Sequence, residues 1–133
     1  ADITRVRKMF RDDMESYRAK AEAMRRAEVY REEYAIAQCP GDIDSPTVLA
    51  AQTANELLDI SGIKASFVLT VYEGKIYMSA RSIDEVNVQL IMEKLGGGGH
   101  MTIAGAQLKD VTVDEAIELV KKTLDGMIEE GEI

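Results

Sequence analysis

The only histidine of this chain, His100, follows directly on four consecutive glycines, residues 96–99. Glycine adopts positive φ without penalty and lets a ligand approach the backbone closely. Successive N–H groups of such a run form a concave nest that suits an anion such as phosphate, and an imidazole adds a donor that carries charge near neutral pH. We therefore expect Gly97, Gly98, Gly99 and His100 to bind a phosphate. By itself, a glycine run is also typical of a flexible linker.

Ser79 and Arg81 form a second group of candidate phosphate ligands, at the end of a predicted strand. Side chains of a strand alternate with period two, so Ser79 and Arg81 share one face. A guanidinium can hold phosphate in a bidentate fork or stack on a base. Ser82 and Glu85 fit a capping box, which predicts a helix that begins there. The amides of that helix end would favour an anion, so Ser82 is predicted as a helix cap first and a ligand contact second.

Two further features flank the glycine run. Asn87 either contacts the ligand or fastens the glycine run by hydrogen bonds, and the sequence favours neither role. Ala104, Gly105 and Ala106 are small, which indicates close packing of the chain after His100 against the sheet. A lone histidine is more often structural than functional, but its position next to the glycines favours a ligand-binding role.

Catalytic and metal-binding patterns are missing from the sequence. With one histidine and one cysteine, the chain has no set of metal ligands at the usual spacing. No Ser/His/Asp set, Cys/His pair or Walker-type loop takes their place. We therefore expect a site that binds a ligand without a cofactor of its own and that carries no catalytic residue.

Composition narrows the classes of ligand. The 133 residues are 46% hydrophobic, enough for one real core. Cys39 is the only cysteine, which excludes an internal disulfide and is typical of a reducing compartment. No segment approaches the ~18 apolar residues of a membrane span, so a cytoplasmic domain is expected. The formal charge of −8 argues against a protein that coats long nucleic acid and favours a small phosphate ligand.

Apolar spacing predicts helices and strands that alternate along the chain. A stripe with helical spacing predicts a long helix from Thr4 to Ala27. A strand is predicted at residues 34–39, followed by a helix from Ser45-Pro46 to about Asp59. Residues 64–72 and 75–81 then form a predicted β-hairpin that turns at Glu73-Gly74. Two further helices are predicted, one from Ser82 to the glycines and one from Thr112 to about Met127. The predicted fold class is therefore α/β: a small mixed β-sheet with flanking helices, preceded by a long N-terminal helix.

The block from Ser79 to Leu108 resembles the DHH-associated domain, the C-terminal half of DHH-family phosphoesterases. Within that family it is most similar to the GdpP-type cyclic di-AMP phosphodiesterases. The motifs SARS, NVQ, IMEKLGGGGH and AGAQL carry the resemblance. It extends more loosely to residues 6–11 and 64–68, and so covers nearly the whole chain. The resemblance implies an interdomain helix at residues 1–28 and a substrate-binding domain at residues 29–133.

The same resemblance implies a function. In an intact two-domain protein, a preceding DHH domain would hold a pair of Mn²⁺ ions through an Asp-His-His motif and hydrolyse cyclic di-AMP to pApA. This chain would be inactive alone and would close over that domain. His100 and the glycine amides would hold one phosphate, while Ser79 and Arg81 would contact the other phosphate or the base. The implied partners are a cyclic dinucleotide or short oligonucleotide and the DHH domain. A homodimer and a membrane anchor further upstream are left open.

Two other functions remain open at this point. One is a nanoRNase or RecJ-like exonuclease, whose related domain binds a short single strand. The other is a tRNA-binding module like the related C-terminal domain of alanyl-tRNA synthetases. The acidic charge argues against both, because affinity for a nucleic-acid strand comes largely from clustered Lys and Arg.

Overall fold

A β-hairpin lies at the centre of the sheet, as the alternation predicted. In the computed structural model, which describes residues 13–83 and 85–133, its strands are β3 (Ala65–Tyr72) and β4 (Lys75–Ser82). Glu73 and Gly74 join them with φ values of 51° and 78°. Two successive positive φ values are the signature of a type I′ turn, whose twist matches that of the flanking strands.

The other strands extend the hairpin on both sides into a six-stranded sheet of order β1-β2-β3-β4-β6-β5. β2 runs parallel to β3, and every other neighbouring pair is antiparallel. The prediction of a small mixed sheet is therefore confirmed. These outer strands are β1 (Glu28–Tyr30), β2 (Tyr34–Cys39), β5 (Gly98–Gly99) and β6 (Ile103–Leu108).

Helices cover the sheet on both faces. They are α1 (Met14–Arg25), α2 (Pro46–Leu57), α3 (Val88–Lys94) and α4 (Val113–Glu129). On one face, Phe67 and Leu69 of β3 share a buried cluster with residues of α3 and α4, including Leu124. On the other face, Val68 packs in a second cluster with α1 and α2, including Leu57. Each large side chain buried in this way stabilises the fold by roughly 1.5–3 kcal/mol.

The N-terminal helix is shorter than predicted. Asp13 has an extended backbone, and its carboxylate accepts a hydrogen bond of 2.7 Å from the Ser16 amide, so α1 begins at Met14. The predicted continuous helix from Thr4 is therefore wrong at Asp13, because an N-cap residue has non-helical backbone angles. Residues 4–12 of the predicted helix lie outside the described residues. The interdomain role of residues 1–28 stays a prediction.

Two predicted helix starts need correction. Pro46 stands at the first position of α2 as expected, but Ser45 has φ 51° and its side chain makes no capping hydrogen bond. No helix begins at Ser82: that residue ends β4, where it pairs with Ala65, and α3 begins only at Val88. The final helix is correct in detail, since Thr112 and Glu115 form both hydrogen bonds of a capping box.

One part of the sheet is left open. Along β4, Ile76, Met78 and Ala80 are buried, whereas Tyr77, Ser79 and Arg81 on the opposite face are only partly buried. Ala104 and Ala106 of β6 point into the same core as Met78, and Ile103 and Gln107 are exposed. We call this surface, formed by β4, β6 and β5 on the α2 side, the open face.

Candidate functional site

The strand register brings the predicted ligands into adjacent rows on the open face. Ser79 lies opposite Gly105, which lies opposite Gly98. Arg81 lies opposite Ile103, whose carbonyl oxygen accepts a hydrogen bond of 2.7 Å from the His100 amide. Residues paired across antiparallel strands share a row, and strands lie roughly 4.8 Å apart. The backbones of Arg81 and His100 are therefore about 10 Å apart, a span that their two long side chains can close around one anion.

Arg81 lacks a carboxylate partner within the described residues. Its guanidinium donates only to the carbonyl oxygen of Ala80, at 2.9 Å. Partial burial lowers the pKa of Arg81, with no carboxylate to offset the lost hydration. By contrast, Arg25 and Arg31 hold Glu22 and Asp125 at 2.6 and 2.8 Å. A cation held partly out of water without a counter-charge is typical of an anion-binding site.

His100 itself is exposed at the end of β5. Its backbone amide donates to the carbonyl oxygen of Ile103, and this bond continues the β5–β6 ladder by one residue. An exposed imidazole contributes little to the core, so a packing role for His100 has no support in the structure. Its position is set by the ladder, and the imidazole remains available as a donor.

The glycine run is built differently from the predicted nest. The amides of Gly96 and Gly97 donate to the carbonyl oxygens of Glu93 and Met92, at 3.1 and 2.8 Å. With φ of +86° at Gly96, these two bonds form a Schellman motif that ends α3. The His100 amide is also used, as described above. The amides of Gly98 and Gly99 belong to β5, which pairs with β6, so the run does not present the four free amides of a nest.

Close packing explains two of the remaining glycines. A Cβ on Gly97 would overlap the carbonyl oxygen of Gly105 and lie 2.7 Å from the Cα of Ala106. A Cβ on Gly99, whose φ is +146°, would lie 2.6 Å from the Cα of Ala104. Gly98 differs from both, since its φ is outside the left-handed region and a Cβ there would meet nothing within 4 Å. The predicted close packing of the chain after His100 is confirmed at Gly105, where a Cβ would lie 2.9 Å from the carbonyl oxygen of Met78 on β4.

Ser82 is buried and forms hydrogen bonds to two loops, the one that follows β4 and the one that follows His100. Its hydroxyl donates to the carbonyl oxygen of Val86 at 2.5 Å, and its amide donates to that of Thr102 at 3.0 Å. The chain after β4 and the chain after His100 are thereby held together. Contact between Ser82 and a ligand stays a prediction, as do the ligand roles of the other predicted site residues.

Asn87 provides the helix cap that Ser82 was predicted to provide. Its side-chain oxygen accepts a hydrogen bond of 3.2 Å from the Leu90 amide, at the first turn of α3. Replacement by Ala should therefore lower the free energy of unfolding by about 1 kcal/mol. Urea denaturation measures this, with Asn87→Asp, which keeps a capping oxygen, as the control. Unchanged stability in the alanine variant would contradict the capping role.

A cleft of about 420 Å³ opens on the face beside the Ser79 row. Its lining includes Tyr77 and Ser79 of β4, Gly105 and Gln107 of β6, and Thr47 in the first turn of α2. Sequence reasoning assigned Tyr77 no role, although the period of two in a strand places it on the face of Ser79. It missed Gln107, because only the pairing of Tyr77 with Gln107 brings these two side chains into one row.

A second groove of about 470 Å³ lies between α1, β2 and α4. Its arginine, Arg26, is held by Glu22 at 2.8 Å, and Glu28 adds a further acidic side chain to the lining. An anion would meet a neutralised cation and a carboxylate there. This groove is therefore a poorer phosphate site than the open face.

Across residues 13–83 and 85–133, no group of three or more His, Cys, Asp or Glu side chains is placed to hold a metal ion. Within the same ranges, no helix combines the length and the apolar character that a membrane crossing requires.

Comparison with known proteins places these features in a family context. The DHHA1 domain model matches residues 32–130. The chain is 44% identical over 98% of its length to the cyclic-di-AMP phosphodiesterase GdpP of Geobacillus thermodenitrificans. It is 40% identical over 95% of its length to the cyclic-di-AMP phosphodiesterase PdeA of Listeria monocytogenes. It spans only about a fifth of these relatives, 20% and 19% of their lengths.

The fold also matches a solved structure. A crystal structure of an exopolyphosphatase-related protein from Bacteroides fragilis superimposes with a TM-score of 0.82, over 96% of this chain and 39% of that one. At 19% identity this likeness shows a common fold.

Proposed function

Because this chain belongs to the DHHA1 domain family, we propose that it is the substrate-binding domain of a cyclic di-AMP phosphodiesterase. Arg81 and His100 hold phosphate oxygens of the substrate on the open face. The observation that carries this proposal is the Arg81 guanidinium, partly buried, without a carboxylate partner among the described residues, and in the same row as His100.

A small dinucleotide fits the charge of the chain better than a nucleic-acid strand does. A formal charge of −8 repels an extended polyanion, whereas one or two placed cations suffice for a ligand with two phosphates. The identity of 40–44% to two cyclic-di-AMP phosphodiesterases supports the same ligand class. A short linear oligonucleotide shares this phosphate chemistry and is the second ligand that the site would accept.

The proposal divides the reaction between this chain and the rest of a longer polypeptide. The described residues do not fit a Mn²⁺ pair, since they bring no ligand cluster together. We place the metal ions in a preceding DHH domain and expect this chain alone not to hydrolyse the substrate. Its cytoplasmic location, an upstream membrane anchor and a homodimer stay predictions.

The role of the open face in such a reaction is to orient the phosphate and to stabilise charge. Hydrolysis of a phosphodiester concentrates negative charge on the phosphate oxygens, and donors already in place there lower the barrier. The hydrogen bond to Ile103 fixes the backbone of His100, and the pairing of β4 fixes that of Arg81, so only the two side chains have to be oriented when the substrate arrives. Gly98 and Gly105 in the adjacent row carry no side chains, which leaves space there for the rest of the nucleotide.

A binding titration of the 133-residue chain with linear diadenylate, pApA, tests the proposal. Arg81→Ala should weaken binding about 10-fold or more, because a charge-assisted bidentate contact is lost. Arg18→Ala, which removes an exposed arginine of α1, is the matched control and should bind like the unmodified chain. Equal affinity of the Arg81 and Arg18 variants would show that the open face is not the phosphate site.

A further inference from the structure

We infer that the cleft beside the Ser79 row is an adenine-binding subsite, in which the Gln107 amide reads the base and the Tyr77 ring stacks on it. This inference rests on the proposed function, because it assumes that Arg81 and His100 hold the phosphate of the same nucleotide. It assigns the adenine base to the cleft, a part of the open face that the phosphate contacts do not use.

The rows of the open face set the distance between the two subsites. Arg81, Ser79 and Tyr77 follow one another at two-residue steps on β4, and each step advances roughly 6.5–7 Å. The Tyr77–Gln107 row is therefore about 13 Å from the Arg81 row. A nucleotide whose phosphate lies at Arg81 would place its ribose over the Ser79–Gly105–Gly98 row. Its base would then reach the cleft.

The floor of the cleft is shaped for a flat group. Gly105 has no side chain, and a Cβ there would lie 2.9 Å from the carbonyl oxygen of Met78. Gly97 also lines the cleft and has no space for a side chain, because a Cβ there would overlap the carbonyl oxygen of Gly105. These two glycines keep the space above the strands clear. The volume of about 420 Å³ lies within the range of small-molecule sites, which are clefts of ~300–1,000 Å³.

Tyr77 offers a ring surface beside this space. Its ring contacts Tyr72 at a centroid distance of 6.1 Å with an interplanar angle of 58°. This tilted contact supports the Tyr77 ring. The ring is only partly buried and lines the cleft, so one side remains available to a base. Stacking on an aromatic ring tolerates every base and provides affinity without selectivity.

Gln107 supplies the selectivity. It is exposed in the cleft lining, and its amide makes no hydrogen bond within the described part of the chain. A glutamine amide carries one acceptor and one donor group, which match the N6 donor and N7 acceptor of adenine. Guanine presents two acceptors at the corresponding edge, so the amide can satisfy only part of it. The subsite therefore prefers adenine.

The test titrates the full 133-residue chain with pApA, with linear diguanylate and with ribose 5-phosphate, followed by amide NMR shifts. Gln107→Leu should weaken pApA about 10-fold and diguanylate by clearly less, since adenine loses a bidentate contact and guanine at most a single hydrogen bond. Tyr77→Leu should weaken both dinucleotides by a similar factor. Neither change should affect ribose 5-phosphate, which has no base. Gln52→Leu and Tyr17→Leu, exposed residues of α2 and α1, are the controls and should bind normally.

The outcomes separate the subsite from the phosphate site. If Gln107→Leu binds pApA normally while Arg81→Ala does not, the adenine subsite is wrong and the proposed function stands. If Arg81→Ala also binds normally, both are wrong. A parallel loss of pApA and diguanylate in Gln107→Leu would likewise overturn the base-reading role, and urea denaturation of each variant excludes unfolding as the cause.

Discussion

Replacement of His100 by Ala should lower kcat/KM for cyclic di-AMP by ~100-fold or more in an intact phosphodiesterase that contains this domain. Removal of one preorganised donor that stabilises developing charge typically costs this much. The loss should fall mainly on kcat, because the contact to a phosphate oxygen strengthens as negative charge accumulates in the transition state. Steady-state kinetics with saturating metal measure both parameters.

The thermal stability of the same variant should hardly change, because the imidazole is exposed. The hydrogen bond from His100 to Ile103 is made by the backbone amide, which the substitution keeps. A thermal unfolding scan provides this control. Met101→Ala, at the exposed neighbouring residue, is the matched variant and should keep normal kinetics. A large drop in Tm together with normal catalysis would make His100 a structural residue and would remove it from the proposed site.

The face of β4 that carries Ser79 and Arg81 could be predicted from the sequence. Burial of one side of a strand imposes period two on its residues, and Ile76, Met78 and Ala80 follow that period without exception. The turn at Glu73-Gly74 fixed the register of the hairpin as well. Local pattern was sufficient here because the strand and its turn are adjacent in the chain.

The start of α3 could not be predicted in the same way. Ser82 and Glu85 match a capping box, yet Ser82 pairs with Ala65 in the sheet and binds two loop carbonyl groups. Strand pairing over a sequence separation of 17 residues, from 65 to 82, outweighs a local cap worth about 1 kcal/mol. Asn87 then provides the cap, five residues further along.

The structural reason for glycine at each position of residues 96–99 could not be predicted from the sequence either. Positive φ, the general property of glycine, applies to Gly96 and Gly99 but not to Gly97 or Gly98. Gly97 is required because β5 lies tightly against the backbone of β6, and that contact depends on the pairing of Gly98 with Gly105. A phosphate-binding nest and a tightly packed edge strand both require consecutive glycines, so the sequence pattern is the same for both. Only the tertiary register separates them.

Alanine substitutions along the run should therefore divide into two classes. Gly97→Ala and Gly99→Ala should each lower the free energy of unfolding by roughly 1–3 kcal/mol, because the new Cβ overlaps β6 and, at Gly99, the φ of +146° becomes strained. Both changes push β5 away from β6 and displace His100, so nucleotide affinity should fall with stability. Urea denaturation and titration with pApA measure the two effects. Wild-type stability in Gly97→Ala would contradict the close packing of β5 on β6.

Gly98→Ala is the variant that isolates the ligand. Its Cβ meets open space, and its φ lies outside the left-handed region, so stability should be unchanged or rise by ~0.4–1 kcal/mol through reduced entropy of the unfolded chain. If a nucleotide whose phosphate lies at Arg81 extends over the row of Ser79, Gly105 and Gly98, the added methyl group occupies part of that space. Affinity for pApA should then fall although the fold is as stable as before. Unchanged affinity together with raised stability would show that the run serves only to connect α3 with β6, and that the bound nucleotide does not extend over the row of Gly98.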